Sequence, residues 1–182
     1  MTTQLNTGIG NQAPTGETPP PRWARITAHL AVLVTLPAGL WRIAMGIGIP
    51  VGYSDEVLRS VYDVPGAGTF ANIGISVCQE CVALLTLGLV SRWGEVVPRW
   101  IPFLGGKRVH PLAGTIPAAL GAAALTVIAL SQLLLWDSVT DSALQGTGRT
   151  VMGWCYLPLI LWGPLLGLVT ISYYRRRRGA LG

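Results

Sequence analysis

The chain has 182 residues, of which 13 are Lys or Arg and 8 are Asp or Glu, giving a net charge of +5 with only 12% charged residues. Hydrophobic residues make up 51% and the mean hydropathy is +0.50. This balance excludes a disordered chain and argues against a soluble globular domain. It also rules out most nucleic-acid binders despite a pI near 9.6, because neutralising phosphates needs dispersed basic residues, and here they cluster between long apolar runs.

Residues 1–21 carry four prolines and a single charge, Glu17. This composition predicts a disordered tail. It has no basic start followed by an apolar core, so it does not read as a cleaved signal peptide, and the first apolar run reads as an uncleaved anchor. Four segments then meet the requirement of about 20 predominantly apolar residues for a membrane span. They are 26–49, 69–90, 111–136 and 150–174. None alternates with the period of two expected of barrel strands, so each is predicted to be a helix. The expected fold is all-α: an integral-membrane four-helix transmembrane bundle over 22–178, followed by a short tail at 179–182. Short links predict antiparallel packing of neighbours.

Charge asymmetry predicts orientation. Arg22, Arg25, Arg92, Arg99, Lys107, Arg108 and Arg175 to Arg178 fall on one side, with only Glu17 and Glu95 as acids. The other side holds Arg59 and Arg149 against Asp55, Glu56, Asp63, Asp137 and Asp141. By the positive-inside rule both termini are cytoplasmic, N-in/C-in, in a multi-pass protein of the cell membrane. The four closing arginines read as a topology anchor able to touch anionic lipid. The loop Val96–Leu104, with Pro98, Trp100 and Pro102, is expected to lie in the headgroup layer as a kinked interfacial segment.

Ionisable residues inside spans point to function. Glu80 lies near the middle of the second span and Arg42 in the outer third of the first. Asn72, Ser76 and Glu80 share one helix face, flanked by Gln79 and Ala83. Thr35, Gly39, Arg42 and Gly46 share a face of the first span, and Gly114, Ala118, Ala122, Leu125 and Ala129 a face of the third. Gly163 and Gly167 have GxxxG spacing, read as packing within the bundle rather than dimerisation.

Two readings follow. In the first, Glu80 is a proton donor for acid-initiated cyclisation or isomerisation of a lipophilic prenylated substrate. Asn72, Ser76 and Gln79 orient it, Arg42 holds a polar group or counter-charge, and Trp41, Trp154 and Tyr156 shield carbocations with their ring faces. In the second, the protein is a non-enzymatic accessory, immunity or transport subunit, and a direct Arg42–Glu80 ion pair fixes helix register. The aromatic residues of the outer half also fit an interfacial belt. Cys78 and Cys81 form a mid-span C-x-x-C, and with Cys155 they read as small buried packing residues, since redox pairs favour helix N-termini. His29 and His110 sit near the basic side, where nothing in their spacing demands haem. No metal or cofactor is expected, and no nucleotide- or zinc-binding pattern occurs.

The stretch Ser91 to Val109, continuing through Pro111 and Leu112, and Ser172-Tyr173-Tyr174 before the arginines, resembles a widespread group of small four-helix membrane proteins of high-GC Gram-positive bacteria. In size and topology the chain also resembles the membrane-bound terpene cyclases of bacterial terpenoid pathways. That resemblance implies an isoprenoid substrate, an acidic initiator, aromatic walls, and a prenyltransferase of the same pathway as partner beside the lipid bilayer. No cyclase motif aligns residue by residue, so Glu80 is assigned from burial alone.

Overall fold

The computed structural model describes residues 19–91, 110–136, 144 and 146–178. Most of the expected tail, the interfacial loop Val96–Leu104, and Asp137 and Asp141 lie outside the described residues. All the described elements are helical. They are α1 (Arg22–Leu33), α2 (Leu36–Gly46), α3 (Asp55–Ser60), α4 (Ala67–Gly88), α5 (Pro111–Leu134), α6 (Thr147–Tyr156), a 3-10 turn (Leu157–Leu161) and α7 (Trp162–Arg178). They give four stretches long and apolar enough to cross a membrane: Arg22–Gly46, Ala67–Gly88, Pro111–Leu134 and Thr147–Arg178.

Two of the four stretches are interrupted, each at a proline. The first breaks at Val34 and Thr35, because Pro37 lacks an N–H and its ring crowds the carbonyl of Leu33. The Thr35 N–H bonds the Val32 carbonyl, tightening the turn, and the helix restarts with Gly39 N–H on the Thr35 carbonyl at 3.1 Å. The fourth stretch narrows to a 3-10 turn around Pro158. The short helix α3, not foreseen from the sequence, starts at Ser54, whose hydroxyl accepts from Val57 N–H at 3.3 Å. Asp55 and Glu56 sit in its first turn and Arg59 in its last, matching the helix dipole.

The main pairings are α5 with α7, α2 with α4, and α1 with both α7 and α4. The spans therefore pack in the order second, first, fourth, third, whereas packing of every pair of chain neighbours was expected. Small residues bring them close. Ala24, Ala28 and Ala31 are fully buried on one face of α1. The expected small-residue face of the third span does meet the fourth: a Cβ on Gly114 would touch the Tyr173 ring, and Ala122 clusters with Leu166 and Val169. Large apolar side chains point outward instead, Phe70, Leu120 and Leu134 being 79%, 67% and 82% exposed. An apolar exterior over a small-residue interior is what a lipid solvent selects.

Ala28 of α1, Leu89 at the end of α4 and Tyr173 of α7 share one core, so these parts of the three described helices pack together. Trp41, Met45, Tyr53, Leu58, Val64 and Leu144 form a second core. Tyr53 and Tyr62 meet there edge to face at 5.1 Å between centroids. Gly52, at φ +104°, lets the loop approach Gly148 so closely that a Cβ would stand 2.6 Å from the Gly148 Cα.

Gly163 carries the tightest crossing of α5 and α7. A Cβ there would lie 2.3 Å from Thr126 Oγ1 and 2.8 Å from the Ala122 carbonyl oxygen. Gly163→Val is expected to cost about 1–3 kcal/mol or more by overpacking, read as a lowered melting temperature in detergent. Gly167→Ala should be tolerated, because its Cβ would sit 3.9 Å from that of Ala122. Equal melting of the Gly163→Val variant and the wild type would show that the helices part without cost.

Candidate functional site

The seam between α2 and α4 joins the two faces singled out in the sequence. Gly46 lies opposite Asn72, Arg42 opposite Ser76, and Gly39 opposite Glu80. Each step advances about one helical turn on either strand of the seam. Asn72 donates to the Gly68 carbonyl at 2.9 Å, and Ser76 to the Asn72 carbonyl at 2.8 Å. Ser76 is fully buried, and its oxygen accepts Arg42 Nε–H at 3.3 Å. Arg42 also donates to Gln79 Oε1. The Gln79 amide in turn donates to the Thr35 carbonyl at 3.1 Å, on the broken turn of the first span.

Glu80 takes a different partner. The Thr35 hydroxyl reaches its Oε2 at 3.0 Å and the Val32 carbonyl at 2.6 Å. Oε1 is buried without a hydrogen-bond partner, against Gly39, where an added Cβ would stand 3.2 Å away. The expected direct Arg42–Glu80 ion pair is therefore corrected. Arg42 is held by Ser76 and Gln79, and Glu80 by Thr35. The reason is register. Glu80 lies one turn closer to the arginine-rich end than Ser76, level with Gly39, whose missing side chain leaves space for the carboxyl.

Beside this seam is a cleft of about 690 Å³ between the far half of α5, α6 and the 3-10 turn. Arg42 and Gln79 form part of its wall, with Trp136, Trp154, Tyr156 and Trp162. The Arg42 guanidinium carbon lies 5.8 Å from the centre of the Tyr156 ring, within cation–π range. Gln132 and Arg149 add polar groups, and the remainder is mostly aliphatic. Among the described residues the cleft wall holds no carboxylate.

The structure thus brings Arg42, Gln79, Trp154 and Tyr156 together around one space, with Ser76 supporting Arg42 from behind. It leaves three of the expected residues elsewhere. Trp41 is packed in the core at the outer end, Asn72 bonds its own helix, and Glu80 faces Gly39 and Thr35 outside the cleft wall. Trp136 and Trp162 were not assigned to a site from the sequence, although Trp136 closes the third apolar run. The cysteines are corrected too. Cys78 and Cys81 are exposed and Cys155 half-buried, because the polar stripe turns the opposite face of α4 outward. His110 caps α5, accepting from Leu112 N–H at 3.3 Å, and His29 Nδ1 lies 2.7 Å from the Arg25 carbonyl oxygen. Among the described residues no three His, Cys, Asp or Glu side chains converge as metal ligands. Compared with known protein families, curated proteins and solved structures, the chain finds no match.

This wiring makes a prediction opposite to that of an Arg42–Glu80 pair. Gln79→Leu should destabilise by about 1.5–3 kcal/mol, the range for a hydrogen bond to a charged group, while Glu80→Gln should cost about 1 kcal/mol or less, because the amide oxygen can still accept from the Thr35 hydroxyl. Adding Arg42→Met to Gln79→Leu should restore stability. Melting curves in detergent check this cycle, and a larger loss for Glu80→Gln than for Gln79→Leu would refute it.

Proposed function

We propose that this protein binds, within the membrane, a lipophilic molecule that carries one anionic or strongly polar end, with prenylated compounds as the substrate class. The observation that carries the reading is Arg42, held in place by Ser76 and Gln79, in the wall of a mostly aromatic and aliphatic cleft whose other charged wall residue, among those described, is Arg149. A guanidinium has five N–H donors, and two are taken by Ser76 and Gln79. A third partner is the Tyr156 hydroxyl, and the remaining donors are available to the ligand's polar end. The cleft volume of about 690 Å³ falls in the usual range for small-molecule sites. Trp154, 70% exposed, and Tyr156 offer ring faces to the ligand body.

Acid-initiated cyclisation of such a prenylated ligand is a second reading, and one observation favours it. The Thr35 hydroxyl has one proton and two acceptors, Val32 O at 2.6 Å and Glu80 Oε2 at 3.0 Å. Glu80 takes part in this shared bond through one oxygen only. Its other oxygen has no partner. The carboxyl would then serve as an acid by rotating past Gln79 toward the cleft. As placed, it is a positioning group for Thr35 rather than a wall residue.

Farnesoic acid and its methyl ester, equal in apolar body and different in charge, distinguish these roles. Wild type should bind the acid about tenfold or more tightly than the ester, as a charge-assisted hydrogen bond supplies. Arg42→Gln should abolish that discrimination, and Trp154→Ala should weaken both ligands. Equilibrium dialysis in micelles measures all six affinities, and unaltered discrimination in Arg42→Gln would remove the proposed anion site. Conversion of a prenylated substrate by wild type and a drop of about 100-fold or more in Glu80→Gln would establish the acid; unchanged turnover would dismiss it.

The orientation we propose is N-in/C-in at the cell membrane, supported by the excess of Lys and Arg on the side bearing both termini. A reporter active only in the cytoplasm should work when fused after Arg178 and stay silent at Asp141. Activity at Asp141 would invert the topology.

A further inference from the structure

Four consecutive arginines on a helix cannot share one surface, because successive side chains are turned by about 100°. Arg175 to Arg178 accordingly divide. Arg177 is 6% exposed, and its guanidinium carbon lies 5.9 Å from the ring centre of Tyr173, itself 1% exposed. Arg176 lies 5.9 Å from the same ring and donates to the Leu89 carbonyl at 2.9 Å, joining the ends of α4 and α7. These two are part of the bundle's own packing.

Arg175 and Arg178 are exposed and three residues apart, so they share a face. With Tyr174, Thr170 and Ile171 they form one wall of a groove of about 270 Å³, and Thr115 and Ala119 of α5 form the other. Thr115 and Thr170 already donate their hydroxyl protons to the carbonyls of Pro111 and Leu166, at 2.8 and 2.7 Å. Donors for a ligand therefore come from the two guanidiniums and the Tyr174 hydroxyl. Among the described residues no carboxylate lines the groove. Below the arginines its walls turn apolar at Ala119 and Ile171, and continue onto the outward face at Leu120 and Leu168, 67% and 50% exposed.

The geometry points to a built site for one anionic glycerophospholipid, its phosphate held by Arg175, Arg178 and Tyr174 and an acyl chain lying along α5 and α7. Charge complementarity selects the anion. Continuity of the groove with the lipid-facing surface selects a lipid over free phosphate, which would leave the apolar walls unused. This site is separate from the Arg42 cleft and does not depend on the function proposed for it.

Native mass spectrometry of the full chain in detergent, with equal phosphatidylglycerol and phosphatidylcholine added, tests the site. Wild type should retain one phosphatidylglycerol with a preference of about tenfold or more, in keeping with two interfacial basic contacts. Arg175→Gln with Arg178→Gln should erase the preference. So should Ala119→Phe, which fills the groove and leaves every charge in place. Arg22→Gln with Arg25→Gln, changing exposed basic residues at the same end, should preserve it. A preference that survives Ala119→Phe, or falls equally in the Arg22/Arg25 variant, would mean diffuse attraction and overturn the site. Excess inorganic phosphate should leave the bound lipid in place; its displacement would assign the groove to free phosphate instead.

Discussion

A guanidinium in the apolar part of a helical bundle has to find its acceptors inside the protein, because hydrocarbon supplies none. Much of the site is arranged around meeting that demand for Arg42. Ser76 accepts from Nε, and Gln79 accepts from the terminal nitrogen. Gln79 is in turn oriented by the Thr35 carbonyl. That carbonyl lies at the break where Pro37 disrupts the first span. A proline that weakens one helix thus helps fix the side chain that satisfies a charge on it. Gly39 and Gly46 let α4 come near enough for those bonds to form.

The same arrangement explains why the cleft has its particular chemistry. The seam holds the polar groups of two helices, yet only Arg42 and Gln79 reach the neighbouring space. Glu80, next in sequence to Gln79, is turned by about 100° around the helix and rests against Gly39. Adjacent residues on one helix therefore serve different environments. Gln79 meets the cleft, while Glu80 stays in the seam with Thr35. The cleft gains cationic and aromatic character without an opposing carboxylate among its described wall residues, which suits an anionic end more than a cationic one.

Much of this was legible in the sequence, because hydropathy and helical periodicity act locally. Four apolar runs gave four apolar helical stretches, with ends shifted by a few residues. The small-residue face around Ala122 and the Gly163/Gly167 spacing, both read as packing surfaces within the bundle, lie at the contact between α5 and α7. The stripe Asn72, Ser76, Gln79, Glu80 and the facing stripe Thr35, Gly39, Arg42, Gly46 were both visible. Their register was not. Charge alone favoured Arg42 with Glu80, whereas the offset between helices is set by the glycines and places Ser76 opposite Arg42. Trp41 was misplaced for a similar reason. An aromatic residue near the outer end can line a cleft or fill a core, and Tyr53, Leu58 and Leu144 from distant segments decide for the core. The α3 helix carried a readable start in Ser54-Asp55-Glu56, but its six residues fall below any hydropathy window.

The two ends of the fourth span extend the lesson that residue type underdetermines role. Trp154 and Tyr156 line the cleft at one end, while Tyr173 is sealed in the core at the other. Both ends pair an aromatic ring with arginine: Tyr156 lies under Arg42, and Tyr173 is flanked by Arg176 and Arg177. The difference is accessibility. At Tyr173 the bundle closes over the ring, and Arg176 is drawn to the free carbonyl at the end of α4. At Tyr156 the 3-10 turn around Pro158 interrupts the span, and α6 buries none of its residues. Packing on α5 holds α7 tightly, whereas α6 leaves a space beside Arg42. The cleft is thus where two constraints meet: a charge that must be satisfied within the seam, and a proline-interrupted span that does not close over it.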